Sequence, residues 1–387
     1  METVSLGTLA SVQSGFAFKS RDWRSEGVPV IKIANVKDGF VTLNGCSFVD
    51  DAVACSAAAF ELRPGDILIS MTGHIGEVAR VRNEGRMLLN QRVGKFTIWN
   101  ASKLDSDFLF YCLRNPELKA KFAAHAYGAA QPNISPSLIE KQEVPLPPLP
   151  IQRRIAGILS AYDELIENSQ RRIKILEQMA RSLYREWFVH FRYPGHENVP
   201  LVPSPLGEIP QGWEVRNVKD ILARRAAGAV YREADVKQDG AIPVLDQSTN
   251  ELLGFHDNEA DHFASPESPL AMFGDHTCKM QLLIEPFSVG PNVVPFSAGA
   301  GLPTSYVFYA VNSLVHTQEY KRHWNPLNAK EIVVADNMSA QRFARVIQPL
   351  LVAQATLRTA IRNLRRTRDL LLPRLLSGQI DVEALPS

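Results

Sequence analysis

Twice along this chain a heptad pattern of apolar residues runs well past the length of an ordinary globular helix. From Ile151 the apolar positions are Ile155, Ile158 and Leu159, Tyr162, Leu165 and Ile166, then Ile173, Leu176, Met179, Leu183 and Trp187. The seam is narrow and its flanks are charged, which predicts a helix packed lengthwise on another helix. Ser169 interrupts it once. Pro150 stands at the start, where a missing N–H costs little, and Pro194-Gly195 cannot continue the helix. From Ser339 the seam returns as Phe343, Val346 and Ile347, Leu350, Ala353, Leu357, Ile361, Leu364 and Leu371, with Gly378 as its expected stop. Pro349 is expected to kink the first turns of this helix or to delay its regular part. Each helix should span about 55 Å at 1.5 Å per residue. Two helices buried in one large core are the plainer alternative, but a narrow seam suits helix pairing better.

The helices are not the only duplicated feature. "SDFLFYCLRNPELKAKF" precedes the first and "TSYVFYAVNSLVHTQEYKRHW" the second. "EKQEVPLPPLPIQRRIAGIL" is echoed by "NAKEIVVADNMSAQRFARVI", which aligns Gln152 with Gln341, and "GVPVIKIANV" by "AIPVLDQSTN". "METVSLGTL" at the start parallels "EVRNVKDIL" after Trp213. The chain therefore reads as an α+β protein made of two copies of one unit, a strand-rich domain followed by a long helix. The expected divisions are 1–149 and 192–338 for the domains, 150–191 for the central helix and 339–387 for the C-terminal helix and tail. The segments between the matched stretches differ greatly. Two modules reading different targets would look like this, and so would drift after duplication.

Within the first domain, "VPVIKIANV", "GDILISMTG", "EVARV" and "VGKFTIW" read as short strands between turn signals. "SMTGHIGEVARV" breaks two strands with two glycines and exposes Thr72, Gly73 and His74. "NQRVGKF" sets Gln91 beside Arg92, and amides and guanidiniums can contact adenine and guanine in bidentate fashion. A plain hairpin turn and a solvated loop have the same composition. In the second half, "MFGDHTCKMQ" gathers Asp275, His276, Thr277 and Lys279 after an apolar run. The order Asp, His, Cys invites a metal, but the spacing matches no ligand pattern. A polar recognition loop or a simple turn fits better.

Composition and motifs narrow the function further. No apolar run is long enough to cross a bilayer, and the N-terminus has no signal-peptide pattern. The four cysteines are scattered without C-x-x-C spacing, so unbridged thiols in a reducing, cytoplasmic setting are expected. The formal net charge of +1 says little, but between Ser339 and Leu376 there are eight arginines and one acid. Such a basic stretch suits phosphates and equally an acidic protein partner; a solvated face is the ordinary outcome. There is no P-loop ("GFAFKS" lacks its second glycine), no nucleophile elbow, no H-E-x-x-H and no N-P-P-[YF] methyltransferase motif. Asp105, Asp107, Glu117 and Lys119 could be forced into a nuclease site, although "NPELKAKFAAH" reads as a plain amphipathic helix. Binding is favoured over catalysis. A stand-alone nuclease or methyltransferase, and a coiled-coil scaffold without DNA contact, are the rival classes.

"VPLPPLPIQRRIAGILSAYDELIE", "LYREWFVHF" and "LRRTRDLLLPRLLSGQI", in a duplicated chain of this length, resemble the DNA-specificity subunit of type I restriction–modification enzymes. The resemblance covers essentially the whole chain. It implies two target recognition domains, each reading one half of a split, asymmetric site on double-stranded DNA. It implies two helices paired as an antiparallel coiled coil whose length sets the unread spacer. The helices and matched segments would seat two methyltransferase subunits, which bind S-adenosylmethionine and methylate adenine, while a separate motor and nuclease subunit cleaves unmethylated DNA in phage defence. This chain itself would carry no catalytic residue, cofactor or metal. The resemblance points to Thr72, Gly73, His74, Gln91, Arg92, Asp275, His276, Thr277 and Lys279 for DNA contact. It points to Gln152, Arg153, Trp187, Phe188, Gln341 and Leu375 for partner contact. "VVADNMSAQ" lacks the prolines of "VPLPPLPIQ", so the two helix lead-ins are expected to differ.

Overall fold

Both seams fold as long helices, Leu149–Tyr184 and Asn337–Leu376. They belong to a computed structural model that describes residues 2–37, 39–125, 133–248, 252–317 and 321–384. The central helix ends in a π-helical turn at Arg185–Val189, a widening that re-aims side chains. The C-terminal helix runs unbroken through Pro349, so its regular part is not delayed. Pro349 is exposed and removes one backbone bond, while the buried Phe343, Ile347 and Leu351 around it keep the helix on its core. Residues 1–166 and 363–387 form one compact unit and residues 167–362 the other. Each unit therefore holds a strand-rich domain and one end of both helices, which cuts across the linear order of domain, helix, domain, helix.

In the first unit a six-stranded sheet begins with Ala10–Ser14, Val93–Ile98, Ile67–Ser70 and Val78–Arg80, in that spatial order. A second sheet pairs Val28–Ile31 in parallel with Met87–Leu89. Thr3–Ser5 pairs with Glu143–Pro145. The helix Ser106–Leu113 is capped by Asp105, whose carboxylate accepts the N–H groups of Asp107 and Phe108 at 2.9 and 3.1 Å. Its apolar face meets the sheet, and the same core takes Ile155 and Leu159 from the central helix and Leu372, Leu375 and Leu376 from the C-terminal helix. Asp163 is buried at this junction. It accepts from the Tyr111 hydroxyl at 2.8 Å, from Arg114 at 2.9 Å and from Arg368 at 2.5 Å. Burial would raise the Asp163 carboxyl, but the two guanidiniums and the hydroxyl outweigh it and hold it below the usual carboxylate range.

The second unit repeats this plan. Leu222–Arg224, Val293–Ala298, Leu270–Gly274 and Met280–Leu283 lie in the same spatial order. Ile242–Leu245 pairs in parallel with Ser288–Val289, and Glu214–Asn217 pairs with Glu331–Val334. Its core is aromatic. Phe188 packs against Tyr306, Phe343 and Trp213 at centroid distances of 4.8, 5.3 and 5.6 Å. The repeat read in the sequence is thus a repeat of topology. The helix lead-ins differ as expected: Asp336 does at the C-terminal helix what the prolines do at the central one. Its carboxylate accepts Ser339 N–H at 2.9 Å, Ser339 Oγ at 2.7 Å and Trp213 Nε1 at 3.1 Å.

Candidate nucleic-acid interface

Three chain segments meet at one end of the larger sheet in the first unit. The loop after Ile67–Ser70 is shaped by the fully buried Ser70, whose hydroxyl accepts Glu77 N–H at 3.0 Å and donates to the carbonyl of His74. Gly73 and Gly76 have φ of +74° and +81°, which L side chains rarely adopt, so the two glycines are conformational requirements. The second segment is an Asx turn: Asn90 Oδ1 accepts Arg92 N–H at 3.2 Å, which leaves Gln91 and Arg92 exposed at its tip. Met71 N–H donates to Arg92 O at 3.0 Å and joins the two. The third segment joins when Ile134 N–H donates to Met71 O at 2.9 Å and Thr72 Oγ1 donates to Asn133 Oδ1 at 3.0 Å.

"GFAFKS" has its role beside this tip. A Cβ on Gly15 would lie 2.2 Å from Leu89 O. Only glycine lets this strand cross so closely, and Gln91 N–H then donates to Phe16 O at 3.0 Å.

The second unit builds the same tip from different residues. Asp275 N–H donates to Asn292 O at 2.8 Å, and His323 N–H donates to Asp275 O at 2.8 Å. Asp275 thus stands where Met71 stands, and Asn292 where Arg92 stands. The counterpart of Gln91-Arg92 is Pro291-Asn292, exposed and with φ +60° at Asn292. These two residues were not picked out from the sequence. "GPN" has turn composition, but the first half's "NQR" shares only asparagine with it, at a different position.

The predicted contact residues fall into two groups. Gly73, His74, Gln91 and Arg92 are exposed at the first tip, and Thr72 is buried beneath them. In the second unit the named side chains mostly build the tip instead of projecting from it. Asp275 is buried and its Oδ1 accepts the N–H groups of His323 and Trp324 at 3.0 and 2.9 Å. His276 Nδ1 bonds Lys321 O at 3.2 Å, Thr277 Oγ1 donates to Gln247 O at 2.7 Å, and Lys279 Nζ donates to Ser248 O at 2.8 Å. Among the described residues no group of three His, Cys, Asp or Glu side chains could hold a metal ion.

Four of the six residues expected to touch a partner are buried, and their roles are corrected here. Gln152 is 0% exposed. Its amide donates to Lys103 O at 2.7 Å and Pro147 O at 2.8 Å and accepts Asp105 N–H at 2.8 Å, so it ties the helix start to the first domain. Trp187 and Phe188 are in the aromatic core, and Leu375 is in the first core. Each of these side chains is worth more to the fold inside than on a surface. Arg153 and Gln341 are exposed, so the aligned glutamines Gln152 and Gln341 differ in environment. The carboxylate–lysine set is also dispersed into structural pairs. Asp105 caps a helix, Asp107 pairs with Arg80, and Lys119 pairs with Glu77. No described helix is long and apolar enough to cross a membrane.

The chain is similar to several known proteins. Residues 1–178 match the family model described as type I restriction modification DNA specificity domain. The chain is 23% identical over 381 residues to the type I restriction enzyme MjaIX specificity subunit of Methanocaldococcus jannaschii, covering 91% of this chain and 86% of that protein. It is 30% identical over 193 residues to the putative MjaX specificity subunit of the same organism, covering 49% and 45%. Among solved structures it is similar to a type I restriction–modification S subunit from M. genitalium. The TM-score there is 0.53 at 15% identity, over 97% of this chain and 96% of that one, and this likeness concerns the fold.

Proposed function

Because this chain is a type I restriction–modification DNA-specificity subunit, a DNA-recognition chain without catalytic residues of its own, we propose that each of its two units reads one half of a split, asymmetric site on double-stranded DNA. The observation that carries this reading is the tip built twice: Met71 on Arg92 in one unit, Asp275 on Asn292 in the other. The frames agree and the exposed residues differ, as two readers of different sequences require. Gly73, His74, Gln91 and Arg92 read the first half. Thr277, Pro291 and Asn292 present the second tip, with Asp275, His276 and Lys279 holding its shape.

The two long helices pair antiparallel as a coiled coil. Support comes from core sharing: the early part of the central helix shares a core with the late part of the C-terminal helix, and its late part with the early part of that helix. The helix length then fixes the unread spacer. Two methyltransferase subunits carry S-adenosylmethionine and act on adenine, a motor and nuclease subunit cuts, and Arg153 and Gln341 lie on the surfaces these partners use. The complex works in the cytoplasm. The test is to map methylated adenines in DNA from cells expressing this chain with its methyltransferase subunit. A split motif that disappears when the chain is omitted is the expected result; no motif from an assembled, soluble pair overturns the reading.

A further inference from the structure

Arg322 stands on the third segment of the second tip, between two residues that the hairpin pins. Lys321 O accepts from His276 Nδ1 at 3.2 Å. His323 N–H donates to Asp275 O at 2.8 Å, and Asp275 Oδ1 takes the N–H groups of His323 and Trp324 at 3.0 and 2.9 Å. Trp324 is anchored in turn on Phe273 and Phe296 at centroid distances of 5.7 and 5.9 Å. The backbone at Arg322 is therefore fixed on both sides, while its side chain is 80% exposed. Its Nε lies 3.8 Å from Asp275 Oδ2, on a carboxylate whose side chain is 12% exposed. With the acid on the Nε side, the two terminal nitrogens of the exposed guanidinium stay available as a planar fork. That fork matches the O6 and N7 acceptors on the major-groove edge of guanine.

We infer that Arg322 is a specificity-determining residue that reads a guanine in the half-site of the second unit, with Asp275 as its positioning residue. The inference rests on the DNA-reading role proposed above. A base reader is best carried on a fixed backbone with a neighbour that biases its side chain; here the bonds to Lys321, His323 and Trp324 fix the backbone and the Asp275 carboxylate stands beside Nε. The first unit puts a different polar residue at the matching place. Asn133 is exposed next to the buried Ile134, and Thr72 donates to its Oδ1 at 3.0 Å. An arginine here and an asparagine there are what two half-sites of unlike sequence call for.

The experiment uses the full chain assembled with its methyltransferase subunits and a pool of duplexes randomised across both half-sites. Wild type should methylate a split motif with a guanine in one half. Arg322→Ala should lower the preference for that one guanine by about 10- to 100-fold and leave the other half-site unchanged, which also shows that the complex is folded. Arg322→Lys should not restore it, because an ammonium lacks the fork. Asp275→Asn keeps an acceptor for the His323 and Trp324 N–H groups and should weaken the same preference while the other half-site stays unchanged. An unchanged motif for Arg322→Ala, or a loss spread over both half-sites, overturns the inference. A wild-type complex that methylates without any split motif overturns the underlying reading instead.

Discussion

Asp163 and Arg368 lie 205 positions apart in sequence and meet at 2.5 Å inside the first unit. The contact joins the central helix to the C-terminal one, and Arg114 brings the globular domain to the same carboxylate. Removing one partner of a buried pair leaves the others charged and desolvated, at a cost of about 3–5 kcal/mol. Asp163→Asn should therefore lower the first unfolding transition in calorimetry and leave the second unit's transition in place. The pH sign follows from the lowered carboxyl. Its stabilisation is present above the unfolded value of about 3.9 and is lost as pH falls through the lower folded value. Wild type should lose stability in that acid window faster than Asp163→Asn does. Equal acid profiles would show that the bridge contributes nothing.

Gln152 and Arg153 are neighbours with opposite fates, and this separates fold from partner contact. Gln152→Ala removes the partners of Lys103 O, of the buried Pro147 O and of Asp105 N–H and should cost about 1–3 kcal/mol, read as a drop in melting temperature. Arg153→Glu, at an exposed position, should leave melting unchanged and reduce capture of the methyltransferase subunit in a pull-down. Capture at wild-type level would remove Arg153 from the partner surface.

The paired alanine variant of Gln91 and Arg92 should blur the methylated motif in one half only. The Asx turn depends on Asn90 and on backbone groups, so its shape survives the change. Recognition of the second half, and assembly, should be as in wild type. Failure to assemble would place this surface at a subunit interface instead.

The sequence revealed the helices because a seam of heptads has a period that few other structures share. It revealed the duplication because strand and helix patterns persist when loops change. What it could not reveal is which polar residues turn inward. Asp275, His276, Thr277 and Lys279 look like a recognition set in one dimension, yet a hairpin needs partners for its neighbours' backbone groups and takes them from those side chains: Asp275 accepts N–H groups, while Thr277 and Lys279 donate to carbonyls. Trp187 already closes the heptad seam, and its partner role, like that of Phe188, comes from the resemblance alone; the π-helical turn at Arg185–Val189 carries both into the aromatic core. Pro291-Asn292 was hidden for a different reason: its role comes from a backbone bond to Asp275, and backbone bonds carry no residue signature.

The proposed ruler role of the helices is open to a direct test. Residues 164–176 and 359–367 contribute to neither globular core; the Asp163–Arg368 and Glu177–Arg358 bridges lie on either side of them, and Arg362, within them, pairs with Glu285. Deleting residues 168–174 and 360–366 together removes one heptad from each helix in this stretch and keeps both bridges. A heptad keeps the seam facing its partner, and at 1.5 Å per residue it shortens the helix pair by about 10 Å. With B-DNA rising about 3.4 Å per base pair, the spacer in the methylated motif should contract by about 3 base pairs while both half-sites keep their sequence. That change also rotates one half-site by roughly a quarter of a turn or more relative to the other, since a turn takes about 10–10.5 base pairs. Methylation should therefore be slower on the new site than wild type is on its own. A motif with its original spacer, read by a soluble deleted chain, would show that the helices do not measure the DNA.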